Sequence, residues 1–154
     1  MPYYQRIVTV AGGGVERGGI VDVVLDVPGG STVSGTGIIV YTWNGGDNQL
    51  WAIQPAPNNP GFSVFRNKKS QLLLTVPPVA GGQVIQVADN GQDTQLWRFV
   101  PTGDGLSNYV INKHSGLVLD VKGVNAWDGT PVIHYKQNNG ANQQWYGGVP
   151  NVPG

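Results

Sequence analysis

Leu117-Val118-Leu119-Asp120-Val121, then Gly129-Thr130-Pro131-Val132-Ile133-His134-Tyr135 and Asn142-Gln143-Gln144-Trp145, is a pattern this chain writes twice. The earlier copy reads Val23-Val24-Leu25-Asp26-Val27, Gly35-Thr36-Gly37-Ile38-Ile39-Val40-Tyr41 and Asn48-Gln49-Leu50-Trp51. The offsets agree residue for residue: Asp to Tyr is 15 (26 to 41, 120 to 135) and Tyr to Asn is 7 (41 to 48, 135 to 142). A third, divergent copy lies between them and ends in Gln95-Leu96-Trp97. The three Gln-x-Trp tryptophans, Trp51, Trp97 and Trp145, are spaced 46 and 48 residues apart. A period in the forties marks a repeat architecture in which no single unit can bury its own apolar face. The repeats run roughly over 1–55, 56–100 and 101–149.

The middle copy keeps the frame and loses the polar set. Leu72-Leu73-Leu74-Thr75-Val76 places Thr75 where the others have aspartate. Val87 takes the tyrosine position, Thr94 takes the asparagine position, and the interval from 75 to 87 is 12 residues rather than 15. Upstream, Val64-Phe65-Arg66-Asn67 with Ser70 parallels Tyr109-Val110-Ile111-Asn112 with Ser115. Asn44-Gly45, Asn90-Gly91 and Asn139-Gly140 read as hairpin-turn dipeptides at equivalent places.

Composition sets the class. The 154 residues suit one domain of 1–154 and are enough to bury a core. With 24 Gly, 11 Pro and a single Glu, the chain is rich in turns and poor in helix formers. Its ordered-looking segments are Val, Ile, Thr, Tyr and Trp, the residues of strands. The expectation is an all-β protein of about twelve short strands, four to a repeat. Lys plus Arg and Asp plus Glu are both 9, which argues against nucleic acid or an anionic membrane as the partner. No cysteine is present, so disulfides and thiolate metal sites are excluded, and neither a metal motif nor a cofactor motif is visible. The apolar runs are too short to span a bilayer. Met1-Pro2-Tyr3-Tyr4 opens no signal-peptide pattern. The expected location is therefore cytoplasmic, or outside the cell by release without a classical signal.

The threefold Gln-x-Trp, with Asp, Tyr and Asn conforming in two copies, resembles the ricin-B-type β-trefoil lectins. The resemblance covers nearly the whole chain. It implies a six-stranded barrel closed by three hairpins, with shallow outer sugar sites, up to one per repeat. Carried over residue by residue, the first site is Asp26, Gly29, Tyr41 and Asn48, with Gln49 in support. The other is Asp120, Gly123, Tyr135 and Asn142, with Gln143 in support. The second repeat lacks all three side-chain anchors, so two sites are expected. The family's usual cysteines are missing, which fits its cytoplasmic, signal-less fungal-type members better than its secreted toxins.

These residue types suit a sugar. A tyrosine ring stacks on the apolar face of a galactose-type pyranose. A carboxylate accepts from two vicinal hydroxyls, and an Asn amide can donate and accept. The implied function is a lectin for galactose, N-acetylgalactosamine and lactose-type glycans, a hemagglutinin with a defensive or glycan-recognition role. The rival readings are a β-trefoil protease inhibitor or another protein-interaction module, which would not need the Asp–Tyr–Asn set twice. A glycoside hydrolase needs two carboxyls about 5–9.5 Å apart, and equivalent aspartates of different repeats should be further apart. A homodimer is one alternative for the assembly.

Plainer roles stand beside these. The three tryptophans, and the glutamines before them, persist in the repeat without a site and are expected to be structural. Each aspartate taken alone could cap a turn, and each tyrosine could be an ordinary strand aromatic. Trp127 is open between an extra sugar contact and a loop anchor. His134 should point away from Tyr135 and is expected at the surface, as is the Lys68-Lys69 turn. The Gly-rich stretch 11–19 reads as a mobile loop or an oligomer contact, and the tail 149–154 as a segment packed on the barrel or a partner.

Overall fold

The computed structural model describes residues 2–12, 22–123 and 125–147. Most of the Gly-rich stretch (13–19) and the whole tail 149–154 lie outside the described residues. Every strand is antiparallel to its neighbours, and thirteen occur among the described residues. They are β1 (Tyr4–Gln5), β2 (Val8–Thr9), β3 (Val23–Asp26), β4 (Ile39–Thr42), β5 (Trp51–Pro55) and β6 (Ser63–Asn67). Then come β7 (Leu73–Thr75), β8 (Ile85–Val87), β9 (Trp97–Pro101), β10 (Ser107–Asn112), β11 (Val118–Val121), β12 (Val132–Tyr135) and β13 (Trp145–Tyr146). The expected twelve become thirteen because the first strand is broken between β1 and β2.

Pairing runs β1-β5-β6-β9-β10-β13-β2, and β1 and β2 are two pieces of one strand, so six strands close a ring. Closure leaves the barrel no free edge. The hairpins β3-β4, β7-β8 and β11-β12 continue from β2, β6 and β10 and meet at one end of the barrel. Three bridges join them cyclically: Gly37 to Ile85, Gln83 to Ile133 and Pro131 to Ile39. The fold is a β-trefoil.

Side-chain alternation builds the core. In β6, Ser63, Phe65 and Asn67 face inward, while Val64 and Arg66 are half-buried. The three tryptophans are fully buried with Phe65, Ile7, Leu25, Leu74 and Leu119. Each indole N–H donates to the carbonyl of the leucine before the aspartate position. The bonds Trp51 to Leu25, Trp97 to Leu74 and Trp145 to Leu119 are all 3.0 Å. A buried indole with its polar atom satisfied combines a large apolar area with a fixed orientation.

The glutamine of each triplet is buried as well. Gln49 Oε1 accepts the Asn44 N–H at 2.8 Å and its Nε2 donates to Thr42 O at 3.0 Å. Gln95 repeats this with Asn90 (3.0 Å) and Ala88 (2.9 Å). Gln143 does so with Asn138 (2.7 Å) and Lys136 (2.9 Å). These bonds correct the turn register. The partners of Asn44 are Asn90 and Asn138, so Asn139-Gly140 is displaced by one from the equivalent place. The left-handed residue is Gly45 (φ 82°), Gly91 (φ 71°) and Asn139 (φ 63°). Asn tolerates that conformation better than other side chains do. The loop is also not a two-residue hairpin, because a 3-10 turn follows it before the next barrel strand.

His134 corrects a second expectation. It does point away from Tyr135, but that side is interior, and it is 2% exposed. Its Nε2 donates to Val79 O at 2.8 Å and its Nδ1 accepts from Ser115 Oγ at 3.1 Å. Ser115 Oγ in turn accepts the Leu117 N–H. Gln86 holds the same place in the second repeat, bonded to Ser70 Oγ, Ser31 O and Val33 O. The first repeat has Val40 there.

Trp97→Ala should lower stability by about 3–5 kcal/mol, as a large-to-small core change. Gln95→Ala, in the repeat without the polar set, should cost roughly 1–3 kcal/mol by leaving buried backbone groups unpaired. Urea denaturation checks both through the midpoint at constant slope.

Candidate functional site

Cross-strand register creates the site. Asp120 in β11 pairs with Ile133 in β12, and Tyr135 lies two residues further on the same face. Asp26 pairs with Ile39 in the same way, and Tyr41 follows. Both aspartates are buried, while the rings stand up beside them, Tyr41 41% and Tyr135 50% exposed. Each carboxylate is thus the floor of a shallow pocket with an aromatic wall.

The loops complete the two pockets. The third-repeat pocket is lined by Asp120, Gly123, Tyr135 and Asn142, all four expected, together with Lys122, Ile133 and Asn138. The first-repeat pocket is lined by Asp26, Gly29, Tyr41 and Asn48, also as expected, with Asn44 and Ile39. Pro28 and Gly30 add a rim, and Lys69 reaches in from the second repeat. Gly29 and Gly30 both sit at φ 64°, so the backbone can turn tightly there.

Lys69 was expected in a solvated turn, and Lys68 does have a surface partner, Asp47 at 3.4 Å. Lys69 is exposed too, and its side chain also leans on Gly30. A Cβ added at Gly30 would lie 2.6 Å from its Nζ. No sequence pattern signals this, because the contact joins different repeats.

Gln49 and Gln143 are fully buried and outside the pockets, under the carboxylates. Gln49 Nε2 donates to Asp26 Oδ2 and Gln143 Nε2 to Asp120 Oδ2, both at 2.8 Å. Asn142 Nδ2 donates to Asp120 Oδ1 at 3.2 Å and to Val121 O at 3.1 Å. Both of its amide protons are therefore occupied, and Asn142 offers only its oxygen to a ligand. Asn48 Nδ2 donates to Val27 O at 3.0 Å and also supports Asp26. Burial raises the carboxyl pKa of Asp26 and of Asp120 above the usual 3.8, and the Gln and Asn amides pull the other way. In its ionised form each is an anchored carboxylate with lone pairs left for hydroxyl donors.

The second repeat has the glutamine without the carboxylate. Gln95 Nε2 meets Thr75 Oγ1 at 3.1 Å, and that hydroxyl donates to Leu73 O at 2.9 Å. Val87 provides no ring. Trp127 is 60% exposed and does not line the third-repeat pocket, although its loop follows Asp120. That loop lies against β4 of the first repeat. Among the described residues no group of His, Cys, Asp or Glu could hold a metal.

Residues 17–145 match the family model of the ricin-type β-trefoil lectin domain. The chain belongs to that family. Binding carbohydrate is what a lectin does, and the fold, the threefold triplets and the absent cysteines agree with its fungal members. Among solved structures the lectin chain resembles a designed threefold-symmetric protein, ThreeFoil. That match has 34% identity and a TM-score of 0.82, over 93% of this chain and 96% of that one. An exo-β-1,3-galactanase from Clostridium thermocellum matches at 28% identity and a TM-score of 0.81, over 95% of this chain but 30% of the enzyme. The Macrolepiota procera ricin B-like lectin, solved in complex with lactose, shares the fold at 21% identity and a TM-score of 0.71, over 94% of each chain. A search of curated proteins found no significant match.

Gly30→Ala puts a Cβ at a left-handed position and against Lys69. It should cost about 1–2 kcal/mol in stability and displace Lys69 from the first pocket while sparing the third. Urea denaturation reads the first effect. Chemical shifts of the Lys69 and Tyr41 resonances against those of Tyr135 read the second.

Proposed function

We propose that this lectin binds galactose- and N-acetylgalactosamine-type glycans through two shallow sites, in the first and third repeats, and has no catalytic activity of its own. One observation carries the reading. A buried carboxylate, clamped by the Gln of Gln-x-Trp and flanked by an outward tyrosine, occurs in these two repeats and is dismantled in the second. A clamped carboxylate is pre-organised to accept from two neighbouring hydroxyls, so little ordering is lost on binding. The tyrosine covers the apolar face that a galactose-type ring presents, and the Asn oxygen takes a third hydroxyl. The lactose bound by the Macrolepiota lectin is a sugar of this class. Each pocket is lined by a single carboxylate, which suits binding rather than the carboxyl pair of glycoside hydrolysis.

Shallow sites exchange water hydrogen bonds for sugar ones at small net gain, roughly 1 kcal/mol each. Single-site Kd values should fall between about 1 mM and tens of μM. Avidity on a glycan-coated surface then depends on both sites engaging together. Titration calorimetry with lactose or N-acetylgalactosamine should give two sites per chain; one or three would defeat the assignment. The double variant Asp26→Ala and Asp120→Ala should stay folded and lose binding and cell agglutination.

The pH dependence has a definite sign. The bound state requires the carboxylate, and burial makes that form harder to hold. Affinity should therefore decline with acidification already above pH 3.8, the usual carboxyl value. A titration series from pH 7 downward tests this, and affinity constant to below 3.8 would contradict it.

A further inference from the structure

Each hairpin loop of the trefoil ends in a turn that lies against the next repeat. The three turns are superimposable in their bonding. Thr36 N–H donates to Val33 O (3.3 Å), Gly82 N–H to Val79 O (3.0 Å) and Thr130 N–H to Trp127 O (3.0 Å). A left-handed glycine precedes the donor each time: Gly35, Gly81 and Gly129, at φ 93°, 80° and 91°. Val33, Val79 and Trp127 are therefore equivalent, and all three are exposed at the turn. The turn with Val79 lies beside the third site, where a Cβ on Gly81 would come within 4.0 Å of the Tyr135 ring. The turn with Trp127 lies beside the first site. Gly129 N–H donates to Val40 O at 2.8 Å, and Asp128 Oδ1 accepts from both Thr42 N–H (2.8 Å) and Thr42 O–H (2.7 Å). These contacts flank Tyr41 on both sides along β4. Asp128 also lies close enough to Asp26 to oppose its ionisation. A Cβ on Gly129 would meet nothing within 4 Å, so the turn leaves open space beside the strand.

We propose that Trp127, supplied by the third repeat, is an aromatic platform for the sugar unit next to the one anchored in the first-repeat pocket, so that the first site reads a disaccharide and the third a terminal unit. This rests on the reading of Asp26 and Asp120 as sugar anchors. The chemistry distinguishes the two sites. An indole offers a broad π-face on which the C–H face of a second pyranose stacks. Val79, at the same place beside the third site, has no such face. The turns are also anchored differently. His134 and Gln86 hold the carbonyls of Val79 and Val33 from below. Val40 cannot do this for Trp127, whose turn is instead pinned from the side by Asp128.

The test isolates one site at a time. In an Asp120→Ala background, galactose and lactose are titrated into the protein with Trp127 and into its Trp127→Ala and Trp127→Tyr variants. Lactose should bind more tightly than galactose. Trp127→Ala should weaken lactose about three- to tenfold and leave galactose unchanged, while Trp127→Tyr should recover most of the loss. Far-ultraviolet circular dichroism confirms that the variants are folded. In an Asp26→Ala background, Val79→Trp should give the third site a preference for lactose. Equal weakening of both sugars by Trp127→Ala, or none, would overturn the platform while leaving the anchors standing. If neither sugar binds with Trp127 in place, the anchors fail and the platform with them.

Discussion

The side-chain amide of the Gln in each Gln-x-Trp triplet is the interaction on which the rest depends. Its oxygen takes a loop N–H and its nitrogen gives to a loop carbonyl, which closes the connection from hairpin to barrel strand. The second proton on that nitrogen goes to the residue at the aspartate position. A buried amide left without partners would be costly, so the loop, the glutamine and the hairpin must form together. Two residues later the indole N–H bonds the leucine carbonyl next to that same position. One tripeptide thus sets the register of the hairpin from two sides.

Threefold packing and single-site chemistry are separable because they use different ends of this network. Thr75 gives Gln95 an acceptor at 3.1 Å, so the second repeat folds without a carboxylate. Where aspartate is present, the clamp holds a charge that burial disfavours. The same glutamine amide that closes the loop therefore also orients the carboxylate at the floor of the pocket. Asymmetry between the two remaining sites comes from elsewhere. Lys69 and the Trp127 turn enter the first pocket's surroundings from the second and third repeats, whereas the third-repeat pocket is lined by residues of its own repeat.

Much of this was legible in the residues. The spacing of Trp51, Trp97 and Trp145 carried the threefold frame, and the Asp–Tyr–Asn offsets led to residues that the register does place around one pocket in each of two repeats. The fully buried glutamines and tryptophans agree with their expected structural role. His134 and the third Asn-Gly turn depart from expectation for two different reasons. Alternation along a strand says which residues share a face, but not which face is inside when a hairpin is covered by a loop from another repeat. Asn139 took the glycine conformation one residue earlier than the dipeptide suggested, because the distance to Gln143, not the dipeptide, fixes the turn.

By itself the sequence determined the repeat, the strand character, the count of complete Asp–Tyr–Asn sets and the one repeat that lacks them. These are local: they depend on periodicity and on side chains a fixed number of residues apart. Only the tertiary structure decided that His134 is interior, that Asn142 has no free proton to offer, that Lys69 rims the first pocket and that the turn following Trp127 lies against the β4 strand that carries Tyr41. Each of those depends on the cyclic meeting of three hairpins, where residues dozens of positions apart are brought within hydrogen-bond distance, and no spacing along the chain encodes which loop lies on which strand.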